Sequence, residues 1–103
     1  MRAENGKKNL VGDRVRQRRQ ELKLTQDGLN GRLAYVTEGK WNPSDQEILH
    51  IENGSRFVSD VEIIALGNAL SCGIQWLLTG EGTSLGNGLK GFVIMSEIKA
   101  SVQ

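Results

Sequence analysis

The stretch SDQEILHIENGS, residues 44–55, decides how this chain is read. It opens as a capping box: Ser44 can accept from a backbone amide three residues on, while Glu47 reaches back to the Ser44 amide. It closes on Asn53-Gly54, where glycine takes the left-handed conformation that stops a helix. Between these signals, at about 100° per residue, Gln46, Leu49, His50 and Asn53 share one face and Ile48 and Ile51 lie opposite. The spacing predicts a short helix moored through its isoleucines with a polar side standing free. Three acids in the same stretch, Asp45, Glu47 and Glu52, would hinder any approach to a polyanion.

Outward from this stretch the chain reads as a series of short helices. On the N-terminal side, Val11, Val15 and Leu22 recur at spacings of four and seven, one face of a first helix that Arg18 interrupts. The connection KLTQ is tight, and Thr25 can cap a second helix, QDGLNGRLAYV. That helix is intrinsically weak, since Gly28 and Gly31 each cost roughly 1 kcal/mol relative to alanine. Leu29, Leu33 and Val36 must compensate by burial. TEGKWNPS is a loop, broken by Gly39, Asn42 and Pro43. On the C-terminal side, Ser59-Asp60-Val61-Glu62 is a second capping box opening an apolar fourth helix, and GIQWLL is a short fifth. Residues 1–9 are polar and expected to form a flexible arm. Residues 10–82 hold the helices, and from 83 to 103 the chain is glycine-rich with one apolar, β-prone run, FVIM (92–95). These patterns predict a small all-α domain of five helices.

Composition narrows the function. The 103 residues suffice for one domain with a modest core, and the net charge is +1. That total hides an asymmetry: residues 1–34 carry nine basic residues and four acids, whereas the remainder carries four basic residues and eight acids. Such a split hints at a polyanion-binding face, although a solvated basic helix explains it as well. Cys72 is alone, so no disulfide or thiolate zinc site is expected, and its apolar surroundings ALSCGIQWLL suggest a small core residue. No apolar stretch reaches the roughly 18–20 residues that cross a bilayer, and MRAENGKKN lacks the hydrophobic segment of a secretion signal. A cytoplasmic protein is therefore expected, and the Asn53-Gly54-Ser55 sequon is discounted. One histidine, one cysteine and no clustered carboxylates leave no nucleophile–base pair or metal spacing, so no enzyme, cofactor, metal or small-molecule ligand is expected.

A helix, a tight turn and a capped second helix form a helix-turn-helix pattern. VGDRVRQRRQELKLTQ, followed by ILHIENGSR, DVEIIALGNAL and IQWLLTGE, resembles the lambda-repressor-like (phage repressor, or xenobiotic-response-element type) DNA-binding family. The likeness covers about residues 10–82. Its strongest pieces are Leu24-Thr25-Gln26, Ile51-Glu52-Asn53-Gly54 and Trp76-Leu77-Leu78-Thr79-Gly80. It implies a five-helix fold and a transcriptional regulator, commonly a repressor, bound to double-stranded DNA as a homodimer. A bacterial or phage-type setting on the nucleoid follows. The third helix would read bases through Asp45, Gln46, Leu49, His50 and Asn53. Glutamine can bond adenine with two hydrogen bonds, and histidine or asparagine can reach major-groove acceptors. The resemblance pairs Glu52 with Arg19 and places Gln26 on a phosphate. Arg14, Arg16, Arg18, Lys40, Ser44 and Arg56 are further candidates for phosphates. Dimerisation falls to Trp76, Leu77 and Leu78, or to Phe92, Val93 and Ile94 as an added strand, the alternative being a disordered tail.

The chain departs from this family in several places. The connection between helices two and three is about eight residues longer than in compact members and carries Lys40, Trp41 and Pro43. Its turn is therefore expected to be less rigid, with Trp41 over the core edge. Asn30 and Gly67 stand where small apolar residues are usual and predict a looser core. Gly73 replaces a capping serine. A different class of function remains open: a protein-interaction module, such as an anti-repressor or antitoxin, that keeps the fold with weak or no DNA binding.

Overall fold

A computed structural model describes residues 6–82 of the chain. Its five helices are α1 (Gly12–Glu21), α2 (Gln26–Val36), α3 (Asp45–Glu52), α4 (Asp60–Ala69) and α5 (Ile74–Thr79). Phe92, Val93 and Ile94 lie outside the described residues. Among the described residues no helix is long and apolar enough to cross a membrane.

Local chemistry sets each boundary. Thr25 accepts from the Gly28 amide at 2.9 Å and starts α2. Ser44 and Ser59 both form complete capping boxes, with Glu47 and Glu62 reaching back to the cap amides. Gly73 starts α5 with no side-chain cap. α3 ends where Gly54 adopts a φ of +81°, which lets the Ser55 amide reach back to the His50 carbonyl at 2.9 Å. The start of α1 has a device that the helix periodicity did not reveal. Asn9 is 7% exposed, and its Oδ1 accepts from the Val11 and Gly12 amides at 3.0 and 2.8 Å. Its Nδ2 donates to the carbonyls of Ile51 at 3.1 Å and Arg56 at 2.8 Å. The polar segment before α1 is thus held to the end of α3, and Lys8 adds a backbone bond to the Gly54 carbonyl at 2.7 Å. Residues 7–9, expected to be part of a flexible arm, are thus tied to α1 and to the end of α3.

The core is built from one stripe of each helix: Val11 and Val15, then Leu29, Leu33 and Val36, then Ile48 and Ile51, Leu66 and Leu70, and Leu77. α2 lies against α3 and α4, α1 against α3, and α5 against α4. At the α1–α3 contact, a Cβ on Gly12 would overlap the Ile51 carbonyl oxygen and come within 2.8 Å of that of Glu52. Only glycine allows the two backbones this approach. Gly67 is similar: a Cβ there would lie 3.2 Å from Ile74 Cγ1 and 3.3 Å from the Cys72 carbonyl. It is a close-approach position between α4 and α5 rather than the source of looseness expected from the sequence.

The long connection between α2 and α3 is also tied down. The Thr37 hydroxyl donates to the Leu33 carbonyl at 2.7 Å and accepts from the Trp41 amide at 3.0 Å. Pro43 is buried and Trp41 rests half-buried against the core. Arg56 stands 5.8 Å over the Trp41 ring, a cation–π contact.

Candidate functional site

α3 carries the site, and its two sides differ as the pattern of residues 44–55 anticipates. Ile48 and Ile51 are fully buried and Glu52 is 5% exposed, whereas Gln46, Leu49, His50 and Asn53 face solvent. Exposed Leu49, at 43%, gives this face an apolar centre between polar neighbours.

The acids of this stretch have partners within the chain. Glu52 receives a two-pronged bond from Arg19, Nε to Oε2 at 2.6 Å and Nη2 to Oε1 at 3.0 Å. Arg19 also donates to the Leu24 carbonyl at 2.9 Å, and Gln26 reaches Glu52 Oε1 at 3.5 Å. The Glu52 carboxylate therefore joins α1 and the start of α2 to α3, while Arg19 ties in the α1–α2 turn. Glu47 is held in its capping box and lies 3.6 Å from Arg56. Asp45 is exposed, yet its Oδ1 accepts from Asn30 Nδ2 at 2.8 Å, a structural role that the sequence did not suggest. Asn30 is thus a polar tie between α2 and α3, although its own buried Oδ1 has no partner.

The cations divide into free and committed. Arg16 and Lys40 are exposed and have no ion pair among the described residues. Arg14 is half-buried, with its guanidinium on the Leu10 and Leu77 carbonyls, each at 3.2 Å. Arg18 must be removed from the phosphate candidates. It is 8% exposed, donates to the Leu70 and Ser71 carbonyls at 2.9 and 3.3 Å, and pairs with Glu21 at 3.2 Å. There it neutralises the carbonyl end of α4, a favourable place for a cation. Arg32 does likewise at the Ala69 carbonyl, 3.0 Å away. Arg56 is also committed, forked onto both carboxylate oxygens of Glu62 at 2.9 Å each. That bond holds Glu62 below the usual carboxylate range, against the opposing effect of burial, and holds Arg56 above its ordinary value. Ser44 is exposed, with its oxygen accepting from the Glu47 amide at 3.2 Å. Gln26 is half-buried, bonded as described.

The dimerisation candidates need a similar correction. Trp76 is 8% exposed and Leu77 is fully buried, so both belong to the chain's own core. Leu78 is half-buried against the same core. Besides Leu49, the large apolar residues left exposed among the described residues are Val61 and Ile64 on α4, Ile74 on α5, and Phe57, Tyr35 and Leu10.

Burial pushes the Cys72 thiol up to about 11, so at neutral pH it is protonated and a poor nucleophile. Among the described residues no three His, Cys, Asp or Glu side chains group to hold a metal ion. A shallow groove of about 440 Å³ beside α1 is lined by Lys7, Asp13 and Arg14, but Lys7 is paired with Asp13 at 3.2 Å and Arg14 is bonded to the Leu10 and Leu77 carbonyls. Comparison with family models, curated proteins and solved structures returns no match.

Proposed function

We propose that this protein is a sequence-specific DNA-binding transcriptional regulator of the helix-turn-helix, lambda-repressor-like type. In this reading it acts in the cytoplasm as a repressor, a homodimer on a two-fold operator. α3 enters the major groove with Gln46, Leu49, His50 and Asn53 toward the base edges. One observation carries the reading: α3 is moored by Ile48, Ile51 and the Glu52–Arg19 pair, and its opposite side offers readers of bases with no unpartnered carboxylate. A homodimer is part of the proposal because one eight-residue helix reads only a few base pairs, too few for useful specificity. Its contact falls to the exposed Ile64 of α4 and Ile74 of α5, together with half-buried Leu78.

Selection of bound duplexes from a random pool tests this directly. A recovered motif with two-fold symmetry is expected. His50→Ala and Gln46→Ala should erase the preference at particular positions, while Arg16→Ala should weaken all duplexes alike. With Arg16, Lys40 and Arg14 as the cations left among the phosphate candidates, two or three phosphates per protomer give a salt slope between about −3.6 and −5.4 for a dimer. A pool that emerges unselected, with no salt-dependent retention on duplex, would sink the proposal. The exposed apolar residues Phe57, Val61 and Ile64 would then favour the other reading, a protein-interaction module.

A further inference from the structure

His50, Asn53 and Ser55 form a closed set of hydrogen bonds beside the free face of α3. Ser55 Oγ lies 2.9 Å from His50 Nδ1 and 2.6 Å from Asn53 Oδ1. The Ser55 backbone N–H also points at Asn53 Oδ1, at 3.0 Å. A backbone N–H needs an acceptor, so the Asn53 atom in this place is its carbonyl oxygen and not its amide nitrogen. The Ser55 hydroxyl meets the same carbonyl oxygen at 2.6 Å, and two oxygens come that close only with a proton between them. That proton is the hydroxyl's only one. Toward His50, Ser55 Oγ therefore has lone pairs alone, and the proton on that contact must belong to Nδ1.

From this we infer that Ser55 sets the hydrogen-bonding polarity of the reading face: neutral His50 carries its proton on Nδ1 and presents Nε2 outward as an acceptor, while Asn53 presents Nδ2 as a donor. Which imidazole nitrogen is protonated follows from the bond that the other ring atom makes. Neither Nε2 of His50 nor Nδ2 of Asn53 has a partner among the described residues, and both side chains are exposed. In the major groove an acceptor meets the exocyclic amino groups of adenine and cytosine, and a donor meets guanine N7 and O6, adenine N7 or thymine O4. His50 accordingly selects an amino-bearing base on the strand it faces, the reverse of what an Nε2–H ring would select. Ser55 acts as a positioning residue, outside any base contact. The base preference rests on the DNA-binding reading, but the tautomer does not.

The two parts separate experimentally. His50 is the only histidine of the chain, so long-range ¹⁵N–¹H correlation spectra of the full-length protein, with its ring neutral, report one tautomer without overlap. Protonation at Nδ1 is expected in the native protein and in Ser55→Thr, with a shift toward Nε2 protonation in Ser55→Ala. Selection from the random pool then locates the position whose preference vanishes in His50→Ala. That position should hold adenine or cytosine over guanine or thymine by roughly fivefold, the worth of one hydrogen bond, and Ser55→Ala should lose or invert the preference while Ser55→Thr keeps it. An Nε2–H ring in the native protein, or a tautomer indifferent to Ser55→Ala, overturns the inference whatever the DNA does. Nδ1 protonation together with guanine or thymine at the His50 position overturns its base-reading half. Nδ1 protonation with no duplex bound upholds the hydrogen-bond polarity and counts against the regulator itself.

Discussion

Removing Arg19 while leaving Glu52 in place should do more damage than any other single truncation around α3. Arg19→Met keeps most of the side-chain volume but deletes both prongs to Glu52 and the bond to the Leu24 carbonyl. The Glu52 side chain is 3% exposed, so water cannot replace what is lost, and only Gln26 at 3.5 Å remains within reach. Breaking a buried pair in this way costs about 3–5 kcal/mol. A domain of this size has a stability of roughly 4–12 kcal/mol, so the variant should be near or past the edge of folding, with a fall in Tm of roughly 12 °C or more. Replacing both partners, Arg19→Met with Glu52→Leu, removes the stranded charge and should recover most of the loss. Urea unfolding followed by far-ultraviolet circular dichroism, run as a double-mutant cycle, measures the coupling directly, and about 2–3 kcal/mol is expected. Single changes that add within about 0.5 kcal/mol, or an Arg19→Met variant as stable as the parent, would refute the claim that this pair moors α3.

Two further perturbations address the supports of the same helix. Gly12→Ala puts a methyl group into the Ile51 and Glu52 carbonyls, and because backbone lines both sides the helices must separate, at a cost of about 2–3 kcal/mol. A calorimetric Tm equal to that of the parent would show that this contact can yield freely. The Arg56–Glu62 bond predicts an acid limb to stability. Glu62 is depressed in the folded state, chiefly by the Arg56 bond, so its contribution is complete above the unfolded carboxylate value of about 4.3 and decays as the pH falls through the lower folded value. Glu62→Gln should flatten the stability profile between about pH 5 and 3, measured against the parent because exposed Glu21, lowered by Gln17 and Arg18, titrates in the same range. An unchanged slope would remove Glu62 from the acid response.

Periodicity and caps made most of the fold legible. Ile48, Ile51, Leu29, Leu33 and Val36 repeat at helical spacing and Ser44, Ser59 and Thr25 announce helix starts, because these effects act within a few residues of sequence. The supports of the site were less visible because they join distant segments. Asn9 reaches Ile51 and Arg56 across more than forty residues, and nothing in NLVGD distinguishes it from an asparagine in a polar arm. Arg18 reads as a surface cation beside three other arginines, and only the arrival of the α4 carbonyls at its guanidinium turns it inward. Asn30 and Gly67 look like flaws in an apolar pattern until Asp45 and Ile74 appear opposite them. Trp76 and Leu77 read as an exposed apolar end, since the pattern of a six-residue helix does not say which of its sides the core takes.

Charge explains how an acidic stretch could coexist with the proposed groove-facing role of α3. A carboxylate repels phosphate through the field it leaves uncompensated, and that field shrinks when a cation or hydrogen-bond donor is fixed against it. Arg19 compensates Glu52, Arg56 stands near Glu47, and Asn30 turns Asp45 Oδ1 toward α2. Arg19 also draws down the basic excess of residues 1–34 by pairing with Glu52, and Arg18 and Lys7 are spent on Glu21 and Asp13 at 3.2 Å each. Of the phosphate candidates, exposed Arg16 and Lys40 and half-committed Arg14 remain for a polyanion. An α3-bound duplex would then owe little to counterion release, and discrimination would rest on a face where Gln46, His50 and Asn53 offer directed hydrogen bonds around Leu49. On the proposed reading, weak general affinity with a sharp dependence on individual bases would be the consequence, unlike that of a basic recognition helix. Lys substituted at Asp45 separates the two. It should raise affinity for every duplex while narrowing the gap between preferred and random sequence, and a gain confined to the preferred sequence would contradict the electrostatic account.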